Sequence, residues 1–172
     1  MTTTVQLDTL DLKLLRAVQQ NSAEPISDLA ERCGLSRSAC SRRLNRLSEL
    51  GVIERSVALL SQEKLGLGLT VFIAIKTNQH NATWSRQFQS VVEQLPGVLE
   101  VHRLGGDIDY LLKAVVSDMS GYDALYQQLI SADLFDVSAS FVMETMKRTT
   151  ALTSSMLLMV PMGLVISPIL HT

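Results

Sequence analysis

Five arginines, Arg32, Arg37, Arg42, Arg43 and Arg46, fall in one stretch that contains no acid. Ser36, Ser38, Ser41 and Asn45 are interleaved with them. A guanidinium forms paired hydrogen bonds to a guanine edge, and serine or asparagine bonds to bases or phosphates. The chemistry this suggests is recognition of double-stranded DNA. Arg37, Ser38, Ser41 and Arg42 are expected to face the groove, with Ser36 and Asn45 beside them. Arg43 and Arg46 are expected to reach phosphates, which position a protein without reading sequence. A second candidate is the run Leu104-Gly105-Gly106-Asp107-Ile108-Asp109-Tyr110. Its glycines expose backbone amides that hold a carboxylate, and its aspartates accept from an ammonium group. That combination suits a zwitterionic amino acid. The residues alone read equally as a hairpin turn that only reverses the chain.

Other chemistry is not signalled. His80, His102 and His171 are scattered without metal-ligand spacing, so no metal is expected. Cys33 and Cys40, the two cysteines, form neither a zinc cluster nor a disulfide framework. They are expected to fill the core as small apolar groups, with a redox role as the minor reading. Phosphate-loop, nucleophile-elbow and paired-carboxylate signatures are absent, so neither an enzyme nor a cofactor is expected.

The arginines need a helix to carry them. Ile26, Leu29, Ala30 and Cys33 recur at helical spacing, and Gly34 supplies a residue able to end that helix in a left-handed conformation. Ser36 then caps a second helix in which Cys40, Leu44 and Leu47 share one face, away from Arg37, Ser38, Ser41, Arg42 and Asn45. A preceding helix runs from Thr9 to Asn21, capped by Asp8 or Thr9, with Leu10, Leu14, Leu15 and Val18 as its apolar stripe. Three short helices with a glycine-containing turn before the basic one form a helix-turn-helix unit. Residues 52–66 read as a connector or small hairpin.

The second half is built differently. Leu69 to Lys76 reads as a buried strand, and Trp84, Phe88, Val91, Val92 and Leu95 as a helix face ended by Pro96-Gly97. Strands follow at Val98 to Leu104 and Tyr110 to Val116 on either side of the glycine turn. Tyr122, Leu125, Tyr126 and Leu129 mark another helix, and Val137, Ala139, Phe141 and Met143 alternate as a half-buried strand does. The order β-α-β-β-α-β is that of a split-βαβ, ferredoxin-like sandwich. Its sheet keeps one face free of helices, so that face or an edge is expected to meet a second copy.

At 172 residues, 47% hydrophobic and 19% charged, the chain holds one ordinary domain or two small ones and is not disordered. The net charge of -2 conceals an asymmetry, because from Ala58 onward seven basic residues face ten acidic ones. A local basic patch on an acidic chain still supplies phosphate contacts. The start of the chain lacks the pattern of a signal peptide, which points to the cytoplasm. From Thr153 to Thr172 no residue is charged. The apolar run Met156 to Leu170 is shorter than a membrane span and holds Pro161 and Pro168, so membrane association is not expected.

In this order the parts resemble the Lrp/AsnC family, the feast/famine transcriptional regulators, from Leu7 to about Leu152. LDTLDLKLLRAVQQN looks like the family's first helix, and ISDLAERCGLSRSACSRRLNRLSELGVIER like its helix-turn-helix. LSQEKLGLGLTVFIAIK looks like its linker and first sheet strand. LPGVLEVHRLGGDIDYLLKAVVSD looks like its strand-turn-strand, and METMKRTTAL like its closing strand. The tail lies outside that pattern, and Ser41 stands where many members carry an aromatic. The resemblance implies an α+β chain with a winged-helix-like helix-turn-helix at 1–55 and a linker or hairpin at 56–68. A ferredoxin-like effector and oligomerisation domain would follow at 69–152, then an apolar tail at 153–172. It also implies a homodimer built on the C-terminal sheets, often assembled further, that binds palindromic promoter DNA in the cytoplasm. An amino-acid effector would be held at Leu104, Gly105, Gly106, Asp107, Asp109 and Tyr110, with regulation of amino-acid metabolism as the outcome. Two alternatives remain: a small-molecule-binding module whose helix-turn-helix contacts protein, and a regulator anchored to a membrane by its tail.

Overall fold

The computed structural model describes residues 3–5, 7–158 and 164–166. In chain order these form β1 (Thr3–Val5), α1 (Thr9–Gln20), α2 (Ile26–Cys33), α3 (Arg37–Glu49), β2 (Leu69–Lys76), α4 (Ala82–Glu93) and β3 (Val98–Arg103). Then come β4 (Tyr110–Val116), α5 (Met119–Leu129), β5 (Asp136–Phe141), α6 (Ser154–Leu158) and β6 (Leu164–Ile166). Two compact units result, one from Met1–Ala58 with Lys147–Thr172 and the other from Leu59–Met146.

In the first unit the helix boundaries follow from local chemistry. Asp8 and Asp11 form a reciprocal capping box at the start of α1: each carboxylate accepts from the other's backbone N–H, at 2.8 and 3.1 Å. Gly34 ends α2 at φ 72°, a conformation that penalises a side chain, and the Leu35 N–H turns back to the Ala30 carbonyl at 2.8 Å. The Ser36 hydroxyl caps α3 by accepting from the Ala39 N–H at 3.2 Å. Leu14, Ala17, Leu29, Ala30, Cys33 and Cys40 make the core, with Val18, Ile26, Leu35 and Leu44 packed around it. Burial pushes the Cys40 thiol above its ordinary range, with Cys33 adding to the effect. A protonated buried thiol is a packing group rather than a nucleophile.

The end of the chain belongs to this same unit. Gln19 on α1 grips the Leu152 backbone, accepting its N–H at 2.7 Å and donating to its carbonyl at 3.5 Å. β6 pairs antiparallel with β1, Thr3 opposite Ile166 and Val5 opposite Leu164. Pro161, Pro168 and His171 lie outside the described residues. Among the described residues no helix is long and apolar enough to cross a membrane.

After α3 the described chain forms no strand before β2. Residues 54–61 run exposed, and one helical turn follows at Glu63–Leu65, so the segment is a connector rather than a hairpin.

The second unit is a four-stranded antiparallel sheet in the order β3-β4-β2-β5. Its register sorts the side chains into two faces, because partners directly opposite each other point the same way. The rows Phe141-Val71-Ala114-Val98, Ala139-Ile73-Leu112-Val101 and Val137-Ile75-Tyr110-Arg103 lie on one face. Val71, Ile73, Ile75, Leu112 and Ala114 are fully buried there against Trp84, Phe88 and Val92 of α4 and Leu125 and Leu129 of α5. The rows Ser140-Phe72-Lys113-Glu100 and Ser138-Ala74-Leu111-His102 lie on the other face. Phe72 is 38% exposed there, and Lys113 donates to Glu100 at 2.7 Å. That hydrogen bond, with the neighbouring His102, holds the Glu100 carboxyl below its ordinary range. Gly97 sits at a close approach, since a Cβ there would lie 3.1 Å from the Val115 carbonyl oxygen.

Candidate nucleic-acid interface and ligand turn

Helix α3 buries Cys40 and Leu47 and turns its polar side outward. Ser36, Arg37, Ser38, Arg42 and Asn45 are exposed, and Ser41 is half-buried. Arg37 and Arg42 make no ion pair among the described residues. These side chains lie away from the core side of α3 that carries Cys40 and Leu47.

Arg43 and Arg46 sit differently from a free phosphate-seeking pair. The Arg43 Nη1 donates to Asp11 Oδ1 at 2.7 Å and to Asp8 Oδ2 at 2.7 Å. The Arg46 Nη1 donates to Asp11 Oδ2 at 3.0 Å. Asp11 is 1% exposed, so this carboxylate lies between α1 and α3 at the base of the basic helix. The hydrogen bonds that Arg43 donates to Asp11 and Asp8 raise its guanidinium further above its ordinary range. Burial works against ionisation of Asp8, but the Asp11 N–H and the Arg43 guanidinium outweigh it and hold that carboxyl low. Sequence reasoning used Asp8 only as a cap and missed Asp11. The available signal was the equal spacing of Asp8 and Asp11 on one helix and Arg43 and Arg46 on the other. Arg32, the remaining arginine of the cluster, is paired with Glu24 and Gln20.

The turn between β3 and β4 is also more engaged than its sequence suggests. Leu104 N–H donates to the Asp109 carbonyl at 2.8 Å, closing the turn, and β3 ends one residue earlier, at Arg103. Gly105 and Gly106 are exposed, and Gly106 has φ 155°. Asp109 ties the turn to β2, its Oδ2 accepting from Thr77 N–H at 2.8 Å and its N–H donating to the Ile75 carbonyl at 3.0 Å. Asp107 accepts from Lys76 Nζ at 3.0 Å, which raises the Lys76 ammonium above its ordinary range. Tyr110 does not join the turn's polar groups; its ring packs against Phe88 at 4.8 Å and Trp84 at 5.7 Å. Tyr110 also borders a cleft of about 540 Å³ between α4 and β3, with Phe88, Val92, Leu95, Val101 and Arg103. The cleft places an apolar surface and a guanidinium beside the glycine turn. His102 is an exposed partner of Glu100 at 3.2 Å, and His80 is exposed.

A basic helix presented by a three-helix unit, joined to a separate sandwich with a glycine turn, defines a ligand-responsive DNA-binding protein. Residues 7–54 match the winged helix-turn-helix DNA-binding model, and residues 70–152 the Lrp/AsnC ligand binding domain. The glutamate uptake regulatory protein of Zymomonas mobilis is 45% identical over 148 residues, covering 86% of this chain and 90% of that protein. A crystal structure of an AsnC family transcriptional regulator from Agrobacterium tumefaciens superposes with a TM-score of 0.82 at 43% identity, covering 87% of this chain and 98% of that one. A transcriptional regulator from Neisseria meningitidis, solved as an L-Met complex, superposes at 0.81 with 36% identity, covering 86% and 96% of the two chains. The chain belongs to the Lrp/AsnC family of transcriptional regulators. Its activity is regulation of transcription through DNA binding, not catalysis.

Proposed function

We propose that α3 is the recognition helix of a cytoplasmic homodimer that reads palindromic promoter DNA. The observation that carries this reading is the exposed surface of Ser36, Arg37, Ser38, Arg42 and Asn45, with Ser41 half-buried among them, on a helix whose opposite side is core. A second copy covers the open sheet face around Phe72 and Leu111, because a sheet face that carries a phenylalanine and no helix is a ready interface. Two recognition helices held about one DNA turn apart then meet equivalent half-sites.

The reading is tested with a promoter duplex selected from random sequence by the full-length protein. Arg37→Ala and Arg42→Ala each lower affinity for that duplex roughly ten- to hundredfold, the range expected for loss of one base-edge arginine. Circular dichroism checks that the fold is intact. Unchanged affinity in both variants would remove α3 from the interface.

We further propose that the β3–β4 turn and the adjoining cleft hold an amino acid. Gly105 and Gly106 offer amides to its carboxylate, Asp107 or Asp109 lies near its ammonium, and Tyr110 leads into the apolar cleft. That the Neisseria relative was solved with L-Met supports this ligand class. Binding there biases one oligomeric arrangement over another and so changes the spacing of the recognition helices. A thermal-shift scan against the twenty amino acids is expected to raise the melting temperature for at least one of them, by mass action. That shift shrinks in Asp107→Ala, whose carboxylate is 91% exposed and not needed for packing. A flat scan would return the turn to a purely structural role.

A further inference from the structure

We propose that Asp11 is a positioning residue for DNA recognition. It fixes the pitch of α3 on α1 and holds Arg43 and Arg46 back from the phosphate backbone. This rests on α3 being the recognition helix. Apolar contacts alone would pack α1 on α3, and burying a carboxylate works against stability unless its partners are well placed. Here they are: Asp11 accepts from Arg43 at 2.7 Å, from Arg46 at 3.0 Å and from the Asp8 N–H at 3.1 Å. Directional bonds to two successive turns of α3 set its rotation and tilt in a way that Leu14 and Cys40, which can slide, do not.

The electrostatic consequence is a division among the arginines. Arg32 is paired with Glu24, while Arg43 and Arg46 face the two aspartates, Asp8 and Asp11. The charge that α3 offers to DNA is then concentrated on Arg37 and Arg42, on the surface that carries the serines and Asn45. Phosphate contacts raise affinity for every sequence alike, whereas base-edge contacts discriminate. Masking Arg43 and Arg46 lowers indiscriminate binding while the fixed pitch preserves discrimination.

The experiment measures affinity of the full-length protein for the selected duplex and for a scrambled duplex of the same composition, across a range of KCl concentrations. Asp11→Asn keeps the shape and removes the charge. Its expected result is tighter binding to the scrambled duplex and at least a tenfold lower ratio of selected to scrambled affinity. The slope of log affinity against log salt becomes steeper by about two to four for the dimer, as each of the one or two arginines freed per protomer engages a phosphate that adds about 0.9. A merely structural role would lower both affinities in step and leave ratio and slope unchanged, which would overturn the assignment. Asp11→Glu retains the charge and is expected to keep the wild-type slope while losing part of the ratio. Arg46→Gln covers the case in which Asp11→Asn does not fold. With Arg46 held off the backbone, its removal leaves the wild-type slope unchanged, and a slope shallower by about two for the dimer would show that Arg46 already contacts phosphate and overturn the assignment. Failure of the recognition-helix reading itself is separate, because it appears as unchanged affinity in Arg37→Ala and Arg42→Ala.

Discussion

Trp84→Ala destabilises the ligand-binding unit by about 3–5 kcal/mol, the range for deleting a large buried aromatic. Trp84 is 3% exposed, stacks on Phe88 at 5.1 Å with an interplanar angle of 5°, and packs on Tyr110. Its indole N–H donates to the carbonyls of Ala132 and Asp133 at 3.0 and 3.1 Å, which fastens α4 to the turn after α5. Truncation therefore opens a cavity and leaves two carbonyls without their donor. In a unit of this size the expected fall in melting temperature exceeds about 10 °C. Calorimetry reads it directly, and a fall of less than about 3 °C would contradict the packing described here. Trp84→Phe is expected to lie between, since it keeps the stacking and loses the hydrogen bonds. The cleft beside Tyr110 shares Phe88 with this cluster, so the amino-acid binding proposed for it is expected to weaken together with stability.

Leu14→Ala has the complementary effect on the DNA-binding unit. Leu14 is 0% exposed and belongs to a small core with Ala17, Leu29, Ala30, Cys33 and Cys40. Replacing a fully buried leucine by alanine costs about 2–5 kcal/mol, more where the site cannot collapse. A unit with so few large core side chains has little stability to spare. The expected result is loss of measurable binding to the selected duplex at 37 °C. The fluorescence transition of Trp84, the only tryptophan in the chain, stays near its wild-type temperature. Helical dichroism followed beside that fluorescence checks both statements in one melt. Retained DNA affinity would mean that the core tolerates the cavity.

Most elements of the two units were legible in the sequence because their causes are local. Helical spacing of Leu29, Ala30 and Cys33, the glycine at 34 and the cap at Ser36 each act within a few residues, and the helix-turn-helix forms where they predict. Strand alternation from Val137 to Met143 and the break at Pro96-Gly97 act over similarly short ranges, although the strand ends at Phe141 and Met143 is exposed. The connector after α3 was ambiguous because its polar, turn-rich residues suit an extended chain as well as a hairpin. Among the described residues no strand pairs with it to decide the matter.

The two candidate sites were legible as compositions and not as arrangements. Spacing and turn chemistry follow from the backbone alone, so that arginines and serines share a helix and that glycines and aspartates share a turn could be read from residue order. Tertiary structure decided which of those groups are engaged. Arg43 reaches Asp11, 32 residues away; Asp109 reaches Thr77, also 32 residues away; and Gln19 reaches Leu152, 133 residues away. A charged side chain has the same local pattern whether it faces solvent, DNA or a buried carboxylate. Only the packing of α1 on α3, and of β2 beside the turn, brings its partner within hydrogen-bonding distance.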